Sequence, residues 1–520
     1  MSGTGQSSIQ PRSVVEYGAR RSIVTLAVIL ATLLEIVDTT IVNVALPTIQ
    51  GNLGANIEQG SFIVTGYIVA NVVIIPLTPW LSERFGRRPY FFASILIFTI
   101  ASMMCGIANS LVSLVIWRIV QGAGGGGLIS TSQAILRDTY PPEKQGMAQG
   151  LFAIGALVGP TIGPTLGGII TDNLSWRWVF FINVPLGILA MVLVALYLKN
   201  PIDPHKKRID GLGVALLAIG LGSLQYVLDQ GQEKDWFSSS LIVGFTIVAT
   251  LCLIGFFLWE MFGTRTPIVP LNVLRYRSVS AGSALGAVLG LTLTASLVTL
   301  PQFVQGQLGF TATLSGELIF MRAIAVMLLT PISVRLSTHP KVDTRLLIGL
   351  GFTLVGVSNL LQAQVTTTTA GFWDFAFAAA VGGCGLAFTF IPLSLSVFAG
   401  VTQRDIPGAS AFFNLARQLG GSVGTAVLIT IISRQIAVHQ NDIASTITLR
   451  RPPIAALMAQ KRAAVPPLLR LNQLAASQAT TLSFADASRA TGFTTLGLVP
   501  LVFLLRRPRP QSGAPLPATE

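Results

Sequence analysis

Apolar runs long enough to cross a lipid bilayer recur along this chain from about Ser22 to Leu505, and that repetition constrains its fold more than any single motif. A hydrocarbon layer of about 30 Å takes roughly 20 residues of helix. Inside lipid every backbone N–H and C=O must be satisfied within the segment, so runs of this length read as helices. Spans fall near 22–46, 61–82, 89–108, 110–133, 145–170, 178–198, 211–228, 240–260, 279–303, 314–336, 345–363, 373–398, 408–432 and 491–505. The last is the shortest. Only 11% of residues are charged, against roughly 25% in a soluble domain, and mean hydropathy is +0.68. The expectation is an all-α polytopic membrane protein of fourteen transmembrane helices.

A net charge of +13 would suit a nucleic-acid partner, but its distribution argues otherwise. Alternate loops carry Arg20 and Arg21; Arg84, Arg87 and Arg88; Arg137 and Lys144; Lys199, Lys206, Lys207 and Arg208; Arg335, Lys341 and Arg345; and Arg506, Arg507 and Arg509. The opposite loops carry Arg177, Lys234 and the basic residues of one long segment, 433–490, where the positive-inside rule is weak. Both termini are therefore expected to be cytoplasmic, with no nucleic acid among the partners. The first apolar stretch lacks a small-residue cleavage site and is expected to stay as the first span. Cys105, Cys252 and Cys384 lie inside apolar runs, too far apart for a zinc motif. His205, His339 and His439 lie in or beside separate loops, so neither an enzyme nor a metal or cofactor site is expected.

A faint repeat relates "PLTPWLSERFGRRP" at Pro76 to "PISVRLSTHPKVD" at Pro331. Each ends the second helix of a unit, which suggests two six-helix halves around two inserted helices. The divisions are a tail (1–21), an N-terminal half (22–200), an insert (201–265), a C-terminal half (266–505) containing the external segment 433–490, and a tail (506–520).

Four stretches carry chemistry. "LLEIVDTTIVNVALP", from Leu33 to Pro47, puts Glu35, Asp38 and Asn43 in the first span. Glu35 and Asp38 are three residues apart and share a face at about 60°, where desolvation and mutual repulsion favour the neutral form of at least one. "LVIWRIVQGAGGGG" sets Arg118 in the fourth span with Gln121 on the same face. An intramembrane guanidinium costs roughly 3 kcal/mol or more and should meet a partner or a cavity. The glycines that follow lack the Lys-Ser/Thr of a phosphate loop and read as a close helix contact. "WLSERFGRRP" gathers Glu83, Arg84, Arg87 and Arg88 around Gly86, a charge cluster able to lock two helix ends. "GALVGPTIGPTLGG" spaces Gly155, Gly159, Gly163, Gly167 and Gly168 for close backbone approach, while Pro160 and Pro164 bend the helix.

In order and spacing these stretches resemble the signature motifs of the major facilitator superfamily: the helix 2–3 loop, "RxxQG" in helix four, and the antiporter motif of helix five. "VDTTIVNVALP" resembles the helix-one motif of drug:proton antiporters, and the helix number resembles the fourteen-helix, EmrB/QacA-type branch. The chain departs at Pro79 and Glu83, where the loop motif usually has Gly and Asp, and at Arg322, an unexpected charge in helix ten. The resemblance implies proton-coupled multidrug efflux by alternating access across the bacterial inner membrane. Glu35, Asp38 and Arg118 would serve proton coupling, with Asp38 the expected proton carrier, Glu35 the other acid open to that role and Arg118 the fixed counter-charge; Asp38, Asn43, Gln121 and Arg417 would line the substrate cavity. It also implies amphipathic drugs as cargo, membrane lipids as surroundings, and a periplasmic EmrA-like adaptor with an outer-membrane channel. "IAALMAQKRAA" and "LLRLNQLAASQA" in the external segment read as short amphipathic helices that could cap the exit, lie on the membrane surface or dock that adaptor, docking being the favoured role. A stand-alone exporter of fatty acids or one antibiotic, and a channel without proton coupling, are the alternatives.

Overall fold

The computed structural model describes residues 16–55, 57–141, 144–199, 210–264, 269, 271–339, 341–402, 405–447 and 467–505, and among them no strand occurs. The N-terminal half comprises α1 (Gly18–Leu53), α2 (Ile57–Phe85), α3 (Arg87–Ile107), α4 (Leu111–Gly125), α5 (Leu128–Thr139), α6 (Gln145–Asn173), α7 (Trp178–Phe181) and α8 (Asn183–Tyr197). The insert is α9 (Gly211–Gln230) and α10 (Ser240–Leu258). The C-terminal half comprises α11 (Arg277–Gly306), α12 (Ala312–Thr338), α13 (Thr344–Val365), α14 (Phe372–Phe398), α15 (Ile406–Thr446) and α16 (Pro467–Leu498). Thirteen helices of the described residues are long and apolar enough to cross a membrane. The Gly- and Pro-rich α6, at 29 residues, matches them in length.

The packing repeats between halves. In the first, α1 lies on α6 and α8, while α4 lies on α2 and α3; in the second, α11 lies on α15 and α16, while α14 lies on α12 and α13. Two seams join the halves, α2 against α15 and α6 against α12, and α9 covers the first by packing on both its helices. Side-chain bonds fix that cover: Gln230 Nε2 donates to Ser61 Oγ at 3.0 Å, and Trp236 Nε1 to Thr430 Oγ1 at 3.0 Å.

The basic loops gather at one end. There Arg20 Nη2 donates to the Tyr197 carbonyl at 3.0 Å, Arg137 Nη2 to the Phe398 carbonyl at 3.0 Å, and Arg277 Nε to the Leu504 carbonyl at 3.1 Å. Arg87 and Asp138 form an ion pair at the same end. Arg177 lies at the opposite end of α3, donating to the carbonyls of Gly106 and Ala108 at 2.8 and 2.7 Å.

Two expectations change. The fourth span is broken at Gly126 and Gly127 into α4 and α5. The external segment 433–490 is largely helix: α15 runs on to Thr446, and α16 begins at Pro467, so the final span starts well before 491. Small residues hold α16, with Ala479, Ser483, Ala485 and Ala487 buried and Phe484 against Phe303 at 5.5 Å between ring centroids. "LLRLNQLAASQA" is therefore the start of a long helix rather than a separate short one. "IAALMAQKRAA" lies outside the described residues.

Candidate functional site

The first span brings its two acids to different partners. Asp38 is fully buried, and Arg118 Nη1 donates to its Oδ2 at 2.5 Å. Its Oδ1 accepts from Gln121 Nε2 at 2.8 Å and from Asn183 Nδ2 at 3.0 Å. Arg118 is closed on its other sides: Nε donates to the Ile63 carbonyl at 3.2 Å, Nη1 to Gln121 Oε1 at 2.7 Å, and the guanidinium lies 4.1 Å from the Tyr67 ring centroid. Asn183 also donates to Ser102 Oγ at 3.0 Å, and that hydroxyl donates to the Phe180 carbonyl at 2.9 Å. The pair thus ties α1, α2, α4 and α8 together, with both carboxylate oxygens of Asp38 accepting hydrogen bonds, as a buried ion pair requires.

Glu35, one turn earlier, meets no cation at hydrogen-bond distance among the described residues. Its Oε1 accepts from Asn71 Nδ2 at 3.0 Å, and its Oε2 from the Ile129 N–H at 3.2 Å, at the start of α5. Arg417, half-buried on α15, acts on Glu35 through its charge from the other half. From Glu35, α5 runs along the seam with α15 toward the basic end, where Ser410 Oγ donates to Gln133 Oε1 at 2.7 Å and Asn414 Nδ2 to the same oxygen at 2.8 Å. Gln121 joins the Asp38 cluster; Asn43 does not, being exposed further along α1. Asn71, Ser102 and Asn183 are single polar residues in apolar runs, and nothing in the sequence pairs them with an acid on another helix.

The glycine motifs set this geometry. A Cβ on Gly122 would sit 2.2 Å from the Tyr67 carbonyl oxygen, and one on Gly126 would sit 2.6 Å from that of Asn71, so α4 can reach α2 only through glycines. On α6 a Cβ at Gly159 would meet Ile36, one at Gly163 would meet Thr40, and one at Gly167 would meet Ile41, which presses the antiporter-motif helix onto α1. Pro160 and Pro164 lie inside α6, Gly155 faces Ile29 and Gly168 is buried. In the helix 2–3 loop Gly86 takes φ 87°, the left-handed side that glycine accepts. Beside it Arg87 reaches Asp138 at the end of α5, Arg88 Nη2 donates to the Ala195 carbonyl at 2.5 Å, and Arg84 lies 5.7 Å from the Trp80 ring centroid. Glu83 is half-buried and engaged by neighbours.

The family model of the Major Facilitator Superfamily matches residues 28–425. The multidrug export protein EmrB of Haemophilus influenzae is 36% identical over 437 residues, 84% of this chain and 85% of that protein. The fatty acid resistance protein FarB of Neisseria gonorrhoeae is 35% identical over 446 residues, 83% of this chain and 84% of FarB. Among solved structures, the human organic anion transporter MFSD10 (TETRAN) superposes with a TM-score of 0.59 at 14% identity, covering 94% of this chain and all of that one, a likeness of fold. With the two halves, the packed glycine motifs and a family match over most of its length, the chain belongs to the major facilitator superfamily, a family of membrane transporters, and to its EmrB-type members.

Proposed function

We propose that this multi-pass protein of the bacterial inner membrane exports amphipathic or lipophilic toxic compounds in exchange for protons. Its likeness to multidrug export proteins supports the cargo class, and the contrast between two acids one turn apart supports the coupling. Asp38 is locked into an ion pair that also holds four helices, so a change in its proton count would release Arg118 into an apolar core. Glu35 has only neutral donors, stands where α1, α2 and α5 meet, and feels Arg417 of the opposite half. Glu35 is the carboxyl that takes and releases the proton, Arg417 approaches or withdraws as the halves rock, and the Asp38–Arg118 pair is the fixed charge that keeps α1 in register. One charge crossing 100 mV supplies about 2.3 kcal/mol and one pH unit about 1.4 kcal/mol, together enough for a gradient of several hundred-fold.

Glu35→Gln tests this. In inverted vesicles its drug uptake should no longer respond to an imposed pH gradient, while drug counterflow without a gradient persists. Uptake by Glu35→Gln that still rises with the pH gradient as in wild type removes Glu35 from the role. Drug uptake by the unaltered protein that is the same with and without an imposed pH gradient argues for the channel or facilitator reading. FarB supports a narrower cargo, fatty acids, as a second reading, and competition between decanoate and a cationic dye for uptake separates the two. The periplasmic adaptor and outer-membrane channel that the family resemblance implies would meet α15 and α16 where they rise away from the basic end. A photo-crosslinker at exposed Leu474 should capture the adaptor in cells, and its absence from all adducts would leave this a stand-alone pump.

A further inference from the structure

The repeat places a second buried arginine where the N-terminal half keeps its ion pair. Tyr67 precedes Pro76 by nine residues, and Arg322 precedes Pro331 by nine. The backbone confirms the match: a Cβ on Gly122 would sit 2.2 Å from the Tyr67 carbonyl oxygen, and one on Gly383 would sit 2.2 Å from that of Arg322. Ala379, four residues before Gly383, thus stands at the place of Arg118, and the guanidinium enters the C-terminal core from α12 instead of α14. Arg322 is 7% exposed. Its Nη2 donates to Ser296 Oγ at 2.6 Å, while its Nε–H finds no acceptor among the described residues. None of their carboxylates pairs with it, in contrast to Asp38 beside Arg118. The guanidinium borders a cavity of about 10 Å³, walled also by Thr292, Ser296, Ser358, Asn359 and Leu386, with no acidic side chain in its lining.

A guanidinium does not deprotonate in a protein, and an unpaired one in a membrane core is costly. The neighbouring donors are spoken for: Ser358 Oγ donates to the Ala378 carbonyl at 2.7 Å, and Asn359 Nδ2 to the Val355 carbonyl at 2.9 Å. Ser296 accepts from Arg322, which leaves its own proton to point elsewhere. A space this size takes about one water-sized occupant, and an occupant that balances the charge must be an anion.

We propose that the cavity beside Arg322 and Ser296 is a binding site for a single negatively charged group, standing where the N-terminal half places Asp38. The group comes either from a free halide or, once the lining helices part to admit its chain, from the carboxylate of an acidic amphipath, and the site stands independently of proton coupling because binding is read without transport.

The test is thermal unfolding of the purified full-length protein in detergent. Chloride is titrated against gluconate at constant ionic strength, and decanoate against decanol at constant gluconate. Wild type should gain several degrees, saturably, with one of the anions, as any ligand selective for the folded state produces. Protection by chloride identifies a free anion; protection by decanoate but not by chloride or decanol identifies the carboxylate of a cargo. Arg322→Met should lose the effect. Should that variant fail to fold, Ser296→Asp supplies the missing carboxylate from within and should unfold at or above the protected wild-type temperature, with no response to either anion. A wild type indifferent to both anions, or a response that survives in Arg322→Met or Ser296→Asp, overturns the site.

Discussion

Within the N-terminal half, Arg118 and Asp38 are each at most 1% exposed, so neither can turn to water if the other is removed. Breaking such a pair leaves an uncompensated charge and costs about 3–5 kcal/mol, whereas replacing both members by apolar residues of similar volume is near neutral. Asp38→Asn should therefore lower the unfolding temperature of the purified protein sharply, and Arg118→Met added to Asp38→Leu should restore much of the loss. A double variant as unstable as Asp38→Asn would show that the pair contributes more than the cancellation of two buried charges. Whatever its stability, the double variant should have lost register on α1 and transport poorly. The three charges of this region were legible in the sequence, since an acid or arginine inside an apolar run has few roles. Their division of labour was not. Spacing puts Glu35 and Asp38 on one face, but Asn71, Ile129 and Asn183 decide which acid is locked, and those come from three other elements.

Between helices, what matters is whether an obstacle can move. A Cβ at Gly163 would lie 2.0 Å from Thr40 Oγ1, the end of a side chain, whereas at Gly122 it would meet a backbone carbonyl. Overpacking of this kind costs typically about 1–3 kcal/mol. Gly163→Ala should be destabilised and then rescued by Thr40→Ala, while Gly122→Ala should be at least as damaged and find no rescue by trimming Tyr67. Thermal unfolding of the two double variants checks this, and equal rescue at both sites would contradict the assigned contacts. Most helices were visible as apolar runs because lipid demands hydropathy along the whole span. The ends of α15 and the start of α16 were not, since Ala, Ser, Thr and Gln support a helix without an apolar signal and are held here by packing on neighbours. The break between α4 and α5 was hidden for a related reason: a run of glycines reads equally well as close contact or as a bend, and it is both.

For the molecule as a whole, the two halves meet closely at the basic end, through Arg137 with the Phe398 carbonyl and through Gln133 with Ser410 and Asn414. Alternating access requires those contacts to part in each cycle. With the three native cysteines replaced, Ser130→Cys and Asn414→Cys joined by a short thiol-cleavable cross-linker should stop transport, and cleavage should restore it; undiminished transport when joined would mean that this end does not open. The combination Gln133→Ala and Asn414→Ala should raise the labelling of cysteines placed along α5 from the basic side. The seams between the halves are also unequal in their surroundings. The α2–α15 seam lies under α9, but α6 meets α12 through Gly146, Gly150 and Gly316 with no such cover among the described helices. A solute dissolved in the leaflet therefore faces one shielded flank and one bare one, and the bare flank belongs to the helix that carries Pro160 and Pro164. Were a lipophilic cargo to enter from the bilayer rather than from water, the bare seam between α6 and α12 would be its doorway, since α9 bars the other.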